Sequence, residues 1–366
     1  MAISTVCNFV GPNEVEVIPT GVLGTDERGQ VAPLILNDSD SQALRSIRAK
    51  LRKNGDEIVG EWSDSDGPGG AISLRPLEFH GGVTRVEPCA TWDDFKRWAT
   101  RVRDDHDAVA FRGHGSREFR LRTSLHRVGR TRLVRYCLET LPQFHAHVEA
   151  VSGVRLNIAQ PNDMSTLLGL AQHHGLPTPL LDWTASPYIA AFFAFSDALE
   201  WQTLRPNATH VRVYAITRGF VNRFSPQIVS LQALNPYVSC LAVAPRDNPR
   251  LYAQQGQFLV TNVDNVEQFI CNMEKGEGEP FIMAADVPII HAAEALEDLA
   301  FMGLTAATMF PGLDGVCRMM KHAMSFKRRP LPPAGLPSEG IKATSDELDE
   351  VPATKPSETQ SGANQA

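Results

Sequence analysis

The chain has 366 residues, 43% of them hydrophobic, and a formal net charge of −7 at pH 7. That is enough for one large domain or two ordinary ones with a sizeable core, and the acidic balance argues against non-specific nucleic-acid binding by the whole surface. No apolar run approaches the roughly 18 residues of a membrane span, the start lacks a secretory-signal pattern, and the six cysteines have no CxxC spacing, which suits reduced thiols in a cytoplasmic protein.

Residues 1–85 read as a small separate α/β extension. The charged stretch DSDSQALRSIRAKLRKNG, ending at Gly55, predicts a helix between short apolar β-type runs, and IVGEWSDSDGPGGAISLRPLEF (58–79) predicts a hairpin around a Gly/Pro/Asp turn. A helix follows in 84–104, with Thr91 before Trp92 and the acids Asp93 and Asp94 in its first turn, where they suit the helix dipole. HDAVAFRGHG (106–115) predicts an apolar strand running into a Gly-rich turn, 130–151 an amphipathic helix, and 163–175 a helix stopped by Gly175. TPLLDW (178–183) is a short strand, and 186–200 a helix with Ser186 as N-cap and Pro187 at its first position. A strand is expected at 209–217, a loop entering a strand at 248–262, and mostly helix at 288–324. From about Lys327 the Pro/Ser/Glu-rich composition predicts a disordered tail, which assigns 86–322 to the main domain and 323–366 to the tail.

Residues 96–135 carry twelve Lys/Arg against four Asp/Glu, a basic island in an acidic chain. It fits either an anionic ligand at one place or a solvated face of ion pairs. Inside it, FRGHG (111–115) offers Arg112, a planar fork suited to phosphate or carboxylate, and His114, able to accept, donate or shuttle a proton, beside Gly113 and Gly115, which let a ligand approach the backbone. A tight strand-to-loop turn with Arg112 in a structural ion pair fits the same residues.

QHHGLPTPLLDWTASPYIAAFFAF (172–195) is the densest stretch. His173 and His174 sit together at a helix end without metal-ligand spacing, and His145 and His147 are spaced wrongly for one face of a helix. Asp182, just past an apolar strand, can pair with Arg112 or a histidine or stabilise a cationic transition state, or it can cap its own turn; Trp183 can stack on a flat ring or fill the core. The following phenylalanines read as core, with Tyr188 alone reaching a cleft. In AQQGQF (253–258), paired glutamines can hold a ribose hydroxyl or an amide but cannot serve as a general base.

FRGHG, LRTSLHR (121–127), the 172–195 stretch, QQGQF (254–258) and GLTAATMFPGLDGV (303–316), in that order, resemble the FRG domain family. The family's usual Arg after Gly-Leu-Pro-Thr is replaced here by Pro179, so one cationic contact is either lost or supplied from elsewhere, for instance by Arg117 or Arg120. More loosely, the arrangement resembles an ADP-ribosyltransferase fold, which implies an α+β domain with a split or curved sheet flanked by helices. The resemblance also implies NAD as substrate. On that likeness Arg112 would hold phosphate or ribose, Gly113 would receive the nicotinamide amide, and His173, Trp183, Thr184, Ser186 and Tyr188 would line the nucleotide. Gln255 would stand at the acidic position, with Asp182 or His114 supplying the chemistry that a glutamine forfeits. The partners implied are a nucleotide ligand and a protein or nucleic-acid acceptor, in a toxin or phage-defence setting and with no membrane. A non-catalytic nucleotide- or protein-sensing module and a nucleic-acid-directed enzyme remain as alternatives.

Overall fold

Alternating patterns at the start of the chain build strands. In the computed structural model, residues 2–25, 31–65, 67–75, 84–129, 133–224, 231, 236–241, 249–275 and 277–326 are described. The first elements are β1 (Ala2–Gly11), β2 (Glu14–Thr25), β3 (Val31–Pro33), α1 (Asp38–Ser46), β4 (Arg48–Asn54), β5 (Glu57–Ser63) and β6 (Gly69–Leu74). They form a six-stranded sheet in the order β1-β2-β4-β5-β6, with β3 on β2. The charged stretch expected to be one helix divides: α1 stops at Ser46, Ile47 is extended, and RAKLRKN becomes β4. Its period of two wins because Lys50 stands opposite both Glu16 and Glu61, and Arg52 opposite Glu14, while Ala49 and Leu51 are buried on the other face. The expected hairpin forms from β5 and β6; Asp66 in its turn and residues 76–79 lie outside the described residues.

The second set runs β7 (Arg85–Pro88), α2 (Trp92–His106), β8 (Ala108–His114), α3 (Ser124–Arg127), α4 (Leu133–Arg135), a π-helical turn at Tyr136–Thr140, α5 (Leu141–Ser152), α6 (Pro161–His173) and β9 (Leu180–Thr184). It continues through α7 (Pro187–Glu200), β10 (His210–Thr217), α8 (Arg218–Phe224), β11 (Val238–Leu241), α9 (Pro249–Ala253), β12 (Gly256–Thr261), α10 (Val266–Met273) and β13 (Ile282–Pro288), and ends with α11 (Ala292–Phe301), α12 (Ala306–Met309) and α13 (Leu313–Ser325). The strands form a seven-stranded sheet, β11-β12-β9-β8-β10-β13-β7, antiparallel except for β13 with β7. The chain is thus a mixed α+β protein. The stretch expected as a loop before β12 contains the helical turn α9.

Helix ends follow the sequence signals. Thr91 and Asp94 form a capping box at α2, Ser186 caps α7 with Pro187 at its start, and Gly175 takes a positive φ of 79° just past α6. On one face of the large sheet, Trp92 stacks on Phe95 at 5.1 Å and meets Phe195 edge-on at 5.9 Å, joining α2, α7 and α11 in one core. On the other, Leu121, Trp183, Tyr214, Phe220 and Phe281 pack with α8 and α10. No helix among the described residues is long and apolar enough to cross a membrane. The tail expected from residue 323 starts inside α13; from 327 on it lies outside the described residues.

Candidate functional site

Alternation along β8 divides its side chains. Phe111 packs in the core beneath α7, and a Cβ on Gly113 would stand 1.9 Å from the Ala190 carbonyl oxygen of that helix. Gly115 is similarly pressed, by the Asp197 carboxylate at 2.1 Å from such a Cβ. The glycines of FRGHG therefore let α7 lie close on β8, a packing reason beside the ligand-approach reason expected from the motif. Arg112 and His114 point the other way, and the His114 ring meets Tyr214 edge-on at 5.4 Å.

β8 and β9 share a single register pair, Phe111 with Thr184. Beyond it they part, and a cavity of about 900 Å³ opens there, in the upper part of the range of cofactor pockets, about 300–1,000 Å³. β8 contributes Arg112, Gly113 and His114, and β9 contributes Asp182, Trp183 and Thr184. Gln172 and His173 come from α6, Phe193 from α7, Arg250 from α9, and Gln254 and Phe310 close the wall.

The Arg112 guanidinium bonds the Asp182 carbonyl oxygen through Nη1 and donates from Nε to His114 Nε2 at 3.1 Å. The Asp182 carboxylate is 3.9 Å from Nη1 and 58% exposed, against 16% for the Arg112 side chain. Burial lowers the Arg112 pKa, opposed by the Asp182 charge, with Arg127 acting as a like charge nearby. Gln172 fixes the carboxylate, its Nε2 donating to Asp182 Oδ2 at 2.9 Å and its Oε1 accepting from Thr178. His114 is pushed down to about 3 by burial and then by Arg112, so it is neutral at neutral pH. Trp183 is buried, and its indole N–H has no acceptor among the described residues, an unsatisfied donor of the kind a folded protein rarely leaves.

Six arginines, at positions 112, 120, 122, 127, 205 and 250, face three carboxylates, Glu118, Asp182 and Asp197, around this cavity. Arg122 forks onto Asp264 and Arg205 pairs with Asp197 at 2.8 Å. Arg120, Arg127 and Arg250 have no carboxylate partner among the described residues; Arg250 lies over the Phe310 ring at 5.7 Å. The basic island thus splits. The arginines of α2 are in ion pairs, Arg97 with Asp94, Arg101 with Glu87 and Arg103 with Asp104, whereas Arg112, Arg120, Arg122 and Arg127 face the cavity.

Residues 107–202 match the family model described as FRG domain. The chain carries an FRG domain. The match takes in FRGHG and the 172–195 stretch and ends before AQQGQF and the closing 303–316 element, which the cavity nevertheless recruits through Gln254 and Phe310. No curated protein and no solved structure matches the chain.

Of the residues expected at a site, the FRG domain gathers Arg112, Gly113, His114, His173, Asp182, Trp183 and Thr184 around one cavity. Gln255, Ser186 and Tyr188 are not among its lining residues. Gln255 is exposed at a left-handed turn (φ 46°) that only its backbone uses, its carbonyl accepting from Ala185 N at 3.1 Å. Gln254 faces the cavity instead and donates to the Met309 carbonyl at 3.0 Å. Ser186 caps α7. Tyr188 packs edge-on against Trp92 at 6.4 Å, and Phe193, expected in the core, is the aromatic of that helix that lines the cavity. Pro179 is buried and does not line it; Arg120 does, and Arg117, which is not among the lining residues, pairs with Glu118. Sequence reasoning missed Arg127, Arg250, Gln172 and Phe310 as site residues, although Arg127, Gln172 and Phe310 sit inside stretches that carry the family resemblance.

Proposed function

We propose that this cavity takes up NAD and that the chain acts as an ADP-ribosyltransferase-like enzyme. The observation that carries the reading is the set of cavity arginines without carboxylate partners, Arg120, Arg127 and Arg250, with Arg112 part-buried beside them. A pyrophosphate supplies the negative charge they lack, through charge-assisted bonds that guanidinium forks form well. The rest of the lining fits the remainder of a dinucleotide: Phe119, Phe193 and Phe310 bring aromatic rings to the wall. Cleaving the nicotinamide–ribose bond passes through an oxocarbenium-like state that a nearby carboxylate stabilises. Asp182, exposed to the cavity and oriented by Gln172, is the group we assign to that task, in place of Gln255.

The toxin or phage-defence setting, and a protein or nucleic-acid acceptor, rest on the family resemblance alone. Incubation with NAD tests the reading through nicotinamide release, label transfer and calorimetric binding; absence of all three at millimolar NAD overturns it. A second reading, a nucleotide-sensing module without turnover, is favoured by one observation: Gln255, at the position expected to be acidic, lies outside the cavity lining. It predicts NAD binding that requires Arg112 and yields no product.

A further inference from the structure

The cavity holds two histidines, and their bonding separates their roles. An arginine Nε–H can only donate, so His114 Nε2, 3.1 Å from Arg112 Nε, is the acceptor. The ring proton of the neutral imidazole then sits on Nδ1, which faces the Phe119 carbonyl at 3.3 Å. Both nitrogens of His114 are engaged, and the residue is buried. It orients Arg112 and has no free lone pair to offer a substrate.

His173 is the opposite case. It is the last residue of α6, lines the same cavity, and touches His174 edge-on at 4.9 Å. No hydrogen bond engages either of its ring nitrogens among the described residues. Its neighbour Gln172 holds the Asp182 carboxylate at 2.9 Å, so one helix end presents both the anchored carboxylate and an open imidazole. We propose that His173 is the general base of the site, taking the proton from an acceptor hydroxyl.

The proposal rests on the ADP-ribosyl-transfer reading. In the step it describes, the hydroxyl oxygen forms the bond to ribosyl C1′, and the C1′–nitrogen bond breaks with its electron pair leaving on neutral nicotinamide. The hydroxyl proton passes to His173 and then to solvent. Water in place of an alcohol gives free ADP-ribose by the same accounting. The charged and titratable groups acting on the imidazole are Arg250 from α9 and His174 from its own helix end; Asp182 lines the same cavity. Burial, then Arg250, then His174 lower its pKa from the ordinary histidine value, which keeps it neutral and able to accept a proton at pH 7.

The test uses the full chain, NAD as the probe and water as the acceptor. Nicotinamide release is followed from pH 5 to 9 for wild type and His173→Gln, with NAD affinity measured by calorimetry for both and the histidine ring protons followed by NMR. Loss of a general base predicts a kcat about 100-fold or more lower, NAD affinity within about threefold of wild type, and disappearance of the acid limb of the pH profile. A His173 resonance that titrates while that of His114 does not is the matching spectroscopic result. If wild type turns NAD over and His173→Gln keeps both kcat and the acid limb, the proposal is overturned and the transferase reading stands. If wild type neither binds nor cleaves NAD, the transferase reading fails and takes this proposal with it.

Discussion

Replacing Gly113 by alanine separates the two reasons for a glycine in FRGHG. The added Cβ would stand 1.9 Å from the Ala190 carbonyl oxygen and 3.0 Å from the Ala194 Cβ. Both neighbours belong to α7, whose inner face carries Phe192 and Phe195 into the core, so the helix cannot retreat without opening that packing. Overpacking costs about 1–3 kcal/mol and occasionally more; a clash with backbone rather than a flexible side chain places this substitution near 3 kcal/mol. At about 2 °C per kcal/mol for a large domain, Tm falls by about 6 °C. Thermal and urea denaturation read the change directly. A Gly113→Ala protein with Tm within about 2 °C of wild type would refute the packing argument. The same protein with NAD binding lost would show that ligand approach is what the glycine serves.

Asp286→Asn breaks the fork in which Arg212 bonds Asp286 at 2.7 and 2.9 Å, with side chains only 17% and 10% exposed. Fully buried pairs cost about 3–5 kcal/mol to break; discounted for residual exposure, urea denaturation should show about 2 kcal/mol, and less than 0.5 contradicts it. Thr91→Ala removes the capping box of α2 and should cost about 1 kcal/mol, measurable in the same assay. His114 carries a pH signature. Its folded pKa is depressed to about 3 from an ordinary 6.5, so between those values the unfolded chain binds a proton that the folded chain refuses. Stability therefore falls as pH drops below 6.5, by up to about 1.4 kcal/mol per unit from this residue; His114→Gln should flatten the slope, and an unchanged slope rules out His114 as its source.

Much of the large sheet and its helices could be read from local chemistry. The capping pattern at Thr91, the Ser186-Pro187 start and the stop at Gly175 are decided within a few residues, and each forms as expected. β4 was misread because a charged run with good helix formers carries no local sign of the glutamates that face it on β2 and β5. The site divides in the same way. Arg112, His114 and Asp182 lie on the two strands that part at the Phe111–Thr184 pair, and all three line one cavity; Trp183, next to Asp182, turns its side chain to the opposite face and into the core. Gln254 and Gln255 sit at the end of α9 and the turn after it, where the left-handed backbone at Gln255 decides which of the two faces inward, and the letters do not encode that turn. Arg250 and Phe310 reach the cavity from 123 and 183 residues beyond Arg127, through contacts only the fold brings about.

Calorimetric titration of NAD into wild type, Arg127→Ala and Arg250→Ala tests the central claim most directly. Neither arginine has a carboxylate partner among the described residues, so both variants should fold. Each lost bond to a phosphate costs about 1.5–3 kcal/mol, which is tenfold or more in Kd. Saturable NAD binding by wild type, weakened at least that much in each variant, is the expected result. No heat with millimolar NAD, or equal affinity in all three proteins, would contradict the account.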